Sequence, residues 1–237
     1  FRSKEVFEEI NDKKGLIYAC NGLTNVYCEI GQFKLANEWG IKGINLCEET
    51  KEKEPLAMLL INTGINYIQM KNFYESKEIF NTIKMMDFKL LDSQILSCKL
   101  ALAEIEINIG NPCVALKYLN ETLDLESDEE LSGSICETYK LKGMAYFKLE
   151  EYNVAEKEFI KSYDLSNLCG YINQKCSVMV EWSKLYLAVG RYDVAIELLE
   201  EVVKISKSKD FNILLRESYH ILYTIYKKNN HIENALY

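Results

Sequence analysis

One small residue recurs through this chain at a nearly fixed step: Ala36, Ser76, Ala115, Ala155, Ala195 and Ala235. The intervals are 40, 39, 40, 40 and 40 residues. Self-similarity at such a period marks a repeat architecture, and it limits the fold more than any local propensity does. Other positions keep the same step. Three residues before each marker stand Phe33, Phe73, Pro112, Tyr152, Tyr192 and Ile232. Nine before it stand Tyr27, Tyr67, Glu106, Tyr146, Tyr186 and Tyr226. Twelve before it come Thr24, Gly64, Ala103, Gly143 and Ser183, all small, with Tyr223 the exception. Four after it come Gly40, Phe80, Leu119, Phe159 and Leu199.

The pattern describes a helical hairpin. Apolar residues within each half recur at three- and four-residue steps, as in Ile196, Leu199 and Val203, which is helical periodicity. A small residue in each helix lets the two backbones approach, and the tyrosine and the corner aromatic fill space beside that crossing. The corners carry Gly31, Gly110 and Gly190, or Asn72 and Asn230, residues that tolerate the left-handed conformation ending a helix. Pro112 behind Asn111 reads as a first-turn proline after an N-cap, and Pro55 suits a helix start. Ser127 and Glu130 have capping-box spacing. One hairpin cannot bury its apolar face alone, whereas stacked copies bury a continuous core. The expected architecture is therefore all-α: about six helix-turn-helix units in a right-handed α-α superhelix, one domain over residues 1–237. Residues 1–13 read as the last turns of a preceding second helix, and the final repeat is cut at Tyr237, so a fragment of a longer chain is expected.

Composition narrows the function. Only 2 Pro and 11 Gly in 237 residues leave room for long helices. No apolar run reaches the roughly 18 residues of a membrane span, and no signal peptide opens the chain, which points to the cytoplasm. Acidic residues outnumber basic ones 36 to 28, and only Arg2, Arg191 and Arg216 are arginines. That balance argues against this segment gripping nucleic acid, which needs clustered cations. The eight cysteines (Cys20, Cys28, Cys47, Cys98, Cys113, Cys136, Cys169 and Cys176) form no C-x-x-C pair, and only His220 and His231 could join them at a metal. They read as reduced packing residues, with no metal or cofactor.

Signatures of catalysis are missing: no G-x-S-x-G, H-E-x-x-H, G-x-x-x-x-G-K-[ST] or G-x-G-x-x-G occurs. His231 sits at a corner, while His220 lies on a first helix and is placed to face a groove. Pairs such as Glu48-Glu49 and Glu200-Glu201 read as solvated helix surface. The chain is expected not to be an enzyme.

Asn62-Thr-Gly64-Ile-Asn-Tyr67 followed by Phe73-Tyr-Glu-Ser76 resembles the tetratricopeptide repeat, as does Gly143-Met-Ala-Tyr146 followed by Tyr152-Asn-Val-Ala155. The likeness runs from about residue 14 to the end, and repeat three departs from it at Glu106 and Pro112. The step is about six residues longer than the usual 34. Long repeats of this kind are similar to those of the cytosolic peptide-pheromone sensors of Gram-positive bacteria, the Rap, NprR and PlcR type. There a tetratricopeptide solenoid binds a short signalling peptide in its concave groove, and an N-terminal helix-turn-helix or helical bundle carries the output.

The resemblance implies that first helices line the concave surface, at positions 15, 14, 11, 8 and 7 residues before each marker. Carried onto this sequence, it selects Asn21, Asn25, Asn62, Gln69 and Asn108 as an amide ladder able to match a peptide backbone. Ile65, Ile68, Met144 and Phe147 would receive apolar side chains. Lys140, Lys148 and Lys184 would meet a carboxylate, with Glu104 in the same row. The function this implies is non-enzymatic peptide binding, as the sensing domain of a bacterial quorum-sensing transcriptional regulator. A bound peptide would act by shifting the population of superhelical states. Two other readings stand beside it: a scaffold joining proteins without ligand sensing, and a Rap-type regulator of a signalling protein. Unpaired apolar faces at the ends of the stack would favour a homodimer or cover by further chain.

Overall fold

The computed structural model describes residues 12–123 and 132–228. They form eleven helices: α1 (Lys13–Glu29), α2 (Phe33–Thr50), α3 (Lys53–Gln69), α4 (Phe73–Met85), α5 (Asp92–Asn108), α6 (Pro112–Leu123), α7 (Ser132–Lys148), α8 (Tyr152–Leu168), α9 (Ile172–Ala188), α10 (Tyr192–Lys209) and α11 (Asn212–Lys228). No strand occurs among the described residues. The first helices of the six repeats are α1, α3, α5, α7, α9 and α11, and each is 17 residues long. The chain forms two compact units, which meet in sequence between Asn111 and Pro112. That point is the corner of the one repeat lacking both aromatics.

Within the first unit, α1 packs on α2, α2 on α3, and α3 on both α4 and α5. Within the second, α7 packs on α6 and α8, and α9 follows against α8 and α10, with α11 against α9 and α10. The predicted markers Ala36, Ser76, Ala115, Ala155 and Ala195 are all fully buried; Ala235 lies outside the described residues. The close crossing is visible in atomic detail. A Cβ added at Gly143 would lie 2.5 Å from the ring of Phe159, and one at Gly64 would lie 2.8 Å from Phe80. Repeat one inverts the placement of the glycine. Gly40 stands on its second helix, where a Cβ would lie 2.3 Å from Thr63 Oγ1 on α3 of the next repeat and 3.6 Å, an ordinary contact distance, from Thr24 Oγ1 on its own first helix. Overpacking such a contact by even a few atoms costs about 1–3 kcal/mol.

Two sequence expectations are corrected at the chain's bends. Gly31, Gly110 and Gly190 take the left-handed conformation as expected, but Asn72 does not. At that corner Lys71 holds the positive φ, at 62°, and in repeat four Glu150 does so at 61°. The backbone amides explain why: Asn72 N reaches Tyr67 O at 2.9 Å and Glu151 N reaches Tyr146 O at 3.0 Å. The helix end is thus closed one residue earlier than the Asn pattern suggests. Lys13, grouped with a preceding helix, instead opens α1, and Asp12 caps it by accepting from Gly15 N at 3.0 Å. Residues 1–11, the corner at Asn230 and His231, and the capping box at Ser127 and Glu130 lie outside the described residues.

Adjacent repeats are tied by chemically different pairs at nearly equivalent places. Asn37, on α2, accepts from the Asn66 side chain of α3, whose amide also donates to Phe33 O at 2.9 Å. Lys77, on α4, pairs with buried Glu106 of α5 at 2.8 Å, and Asn111 Nδ2 donates to the same carboxylate at 2.9 Å. Glu156, on α8, accepts from Tyr186 of α9, with the Arg191 guanidinium 4.5 Å above the tyrosine ring. The glutamate that breaks the tyrosine pattern in repeat three is therefore a satisfied buried acid.

Candidate functional site

The positions selected from the sequence lie along the first helices α1, α3, α5, α7 and α9. In the first unit this face is built from amides. Asn62 Nδ2 on α3 donates to Asn21 Oδ1 on α1 at 2.8 Å, a direct bond between successive repeats. Asn25 and Gln69 are exposed beside it, and Asn108 is exposed at the end of α5, where its amide donates to Glu104 O at 2.8 Å. Of the expected ladder, the structure joins Asn21 to Asn62. Asn108 is held by its own helix.

In the second unit the corresponding face carries ions. Lys140 Nζ on α7 lies 2.9 Å from Glu137 and donates to Ser177 Oγ on α9 at 3.0 Å. Lys184 Nζ on α9 lies 2.6 Å from Glu181 and 2.7 Å from Glu217 on α11. Burial works against the Lys184 charge, but the two carboxylates outweigh it and hold its pKa above the ordinary lysine value. The carboxylates expected to meet Lys184 are thus supplied by this chain itself. Lys148 is exposed at the end of α7.

Several expected groove residues face inward. Ile68, expected to receive an apolar side chain, is buried at 4% exposure on α3, a helix that packs against both α1 and α5. Met144 and Phe147 are half-buried and pack on the core of the second unit. Ile65 stays half-open. The sequence reading also missed one position, 18 residues before each marker, where Tyr18, Met58, Ser97, Glu137 and Ser177 stand. It lies three or four residues before selected positions, so it shares their helical face. Among these residues, Glu137 and Ser177 are the partners of Lys140.

Cys20, Cys47, Cys98, Cys136 and Cys176 are buried, while Cys113 and Cys169 are exposed. Burial pushes the thiols of Cys47, Cys98 and Cys176 up to about 11. Among the described residues, no group of three or more His, Cys, Asp or Glu is placed to hold a metal ion. No helix among them is long and apolar enough to cross a membrane. His220 is exposed on α11.

No family model and no curated protein sequence matches the chain. Solved structures do. A Rap protein complexed with competence and sporulation factor is similar at a TM-score of 0.73 over 94% of this chain and 72% of its own, with 16% identity. NprR in complex with its cognate peptide NprX is similar at 0.72, over 98% of this chain and 67% of its own, with 17% identity. A thermophilic tetratricopeptide-repeat protein from Thermus thermophilus is similar at 0.58, over 85% and 98%, with 15% identity. At such identities the likeness establishes the fold, and the chain has the all-α tetratricopeptide-repeat fold that its sequence period suggested.

Proposed function

We propose that this chain is a non-enzymatic binding module that takes a short peptide or extended protein segment along its first-helix faces. The observation that carries the reading is the Asn21–Asn62 bond, with Asn25 and Gln69 exposed beside it. An amide offers donor and acceptor together, so a row of amides can pair with a peptide backbone whatever its side chains. Fixing Asn21 and Asn62 against each other reduces the ordering that a ligand must impose. The similar fold of Rap and NprR, whose structures contain competence and sporulation factor and NprX respectively, supports the same class of ligand. The finer reading is the sensing domain of a quorum-sensing transcriptional regulator. A peptide bridging successive first helices would bias their spacing and so shift the population seen by an output domain.

Isothermal titration of the folded chain with a diverse set of short unmodified peptides tests this. A binder is expected, and Asn25→Ala should weaken it roughly tenfold, the loss of about one hydrogen bond. Because Asn25 is exposed, the melting temperature should hardly move. If no peptide in the set binds, the reading fails.

A further inference from the structure

Two asparagine pairs join helices of the first unit, and they differ in what they leave free. Asn66 of α3 donates to Asn37 of α2 and to Phe33 O, and both asparagines are buried. That pair is sealed: Asn66 Oδ1 has no partner and is shut away from solvent. Asn62 of α3 donates to Asn21 of α1 at 2.8 Å, and both of these residues are only half-buried. Neither side chain makes another hydrogen bond among the described residues. Asn21 Nδ2 and Asn62 Oδ1 are not among the buried atoms that lack a partner, so both reach solvent.

Their mutual bond gives this open pair a polarity. Asn21 Oδ1 and one Asn62 N–H are turned toward each other, so the α1 end offers a donor and the α3 end an acceptor. Turning one amide alone would oppose like atoms and forfeit the bond. The donor and the acceptor are therefore held at opposite ends of the pair. In the second unit the same two positions, 15 and 14 residues before the markers of successive repeats, carry Lys140 and Glu181. These also set a donor before an acceptor, but Lys140 is paired with Glu137, and Glu181 with Lys184. In the first unit both ends stand open.

We infer that the Asn21–Asn62 pair is a two-point backbone clamp, taking one C=O at α1 and one N–H at α3 from an extended peptide segment. An extended chain presents both groups along one edge, so a single segment satisfies both ends together. The clamp presupposes the peptide-binding reading above and adds a requirement to it: the segment must carry an amide hydrogen at that point. Proline and N-alkylated residues are refused there, because the acceptor at α3 would lose its water and meet no donor. The pair touches no side chain of the guest, so what it selects is an unmodified backbone.

The test takes the tightest binder from the titrated peptide set and remakes it with a methyl group on each backbone nitrogen in turn. Titration of the full chain should find one nitrogen whose methylation costs about tenfold or more in affinity. In Asn62→Ala that penalty should largely vanish. A methyl group that only bends or crowds the peptide costs the same in both proteins, so the coupling isolates the hydrogen bond. Asn21→Asp and Asn62→Asp give a second readout. Each keeps the link between α1 and α3, because the remaining asparagine can donate to the new carboxylate, but each leaves acceptors at both ends. Both should weaken the peptide about tenfold while the melting temperature hardly moves. Methylation penalties equal in the wild type and Asn62→Ala at every nitrogen would overturn the clamp, as would Asp variants that bind like the wild type. If those results come with a peptide that Asn25→Ala does weaken, peptide binding stands and the clamp alone falls. If no peptide in the set binds, both fall.

Discussion

The two units build equivalent faces from different chemistry. The first links α1 to α3 through the neutral Asn21–Asn62 pair. The second links α9 to α11 through Lys184 held between Glu181 and Glu217. Beneath both faces the crossings are alike, with Gly64 against Phe80 in one unit and Gly143 against Phe159 in the other. The lesson is that the crossing is set by steric necessity, whereas the face above it is free to vary. Amides there leave hydrogen-bonding capacity for a guest. An ion pair that already holds its counter-charges leaves less.

The largest effect should come from the shared part. Gly143→Leu and Gly64→Leu should each destabilise their unit by about 3 kcal/mol or prevent cooperative unfolding, measured by urea titration. Clearly unequal costs would break the claim that the crossings are equivalent. Next come the faces. Lys184→Met leaves Glu181 and Glu217 facing each other without their shared cation, for an expected loss of about 1.5–3 kcal/mol. Asn62→Ala should lose about 0.5–1.5 kcal/mol. The first penalty should shrink in 1 M salt, where screening extends to about 3 Å, and the second should not. Equal salt response at both sites would contradict the contrast.

The comparison sharpens with pH. Lys184 has a folded pKa above the ordinary lysine value of 10.5. Its contribution should therefore be complete below the unfolded lysine pKa and decline as pH rises from there through the folded value. The advantage of the wild type over Lys184→Met should be flat from neutral pH to about 10 and then narrow, whereas that over Asn62→Ala should show no such step. The smallest effect is at Gly22, where an added Cβ would meet nothing within 4 Å. Gly22→Ala should stabilise α1 by about 0.5–1 kcal/mol through helix propensity alone.

How much of this was legible depends on whether a position answers to its own repeat or to its neighbour. The marker alanines, the hairpin corners and the glycine–phenylalanine crossings follow from one repeated unit, so spacing revealed them. The partner of Lys184 did not follow, because Glu217 lies 33 residues away on the next first helix and no local pattern links them. Ile68 misled for the same reason: its family position puts it in the groove to receive an apolar side chain, but it is buried on α3, which packs against both α1 and α5. Lys71 and Glu150 show a third limit. The left-handed turn falls where the backbone hydrogen bonds close, whatever residue happens to stand there.

The inverted crossing of repeat one has a genetic consequence. A gene made of tandem copies invites unequal recombination, which splices the front of one copy to the back of another. Here such a splice would set Thr24 against a phenylalanine like Phe80, or Gly64 against a glycine like Gly40. The first hybrid is too full, while the second depends on Thr63 of the next copy to fill the space beside Gly40, so an exchange would disturb contacts between copies as well as within one.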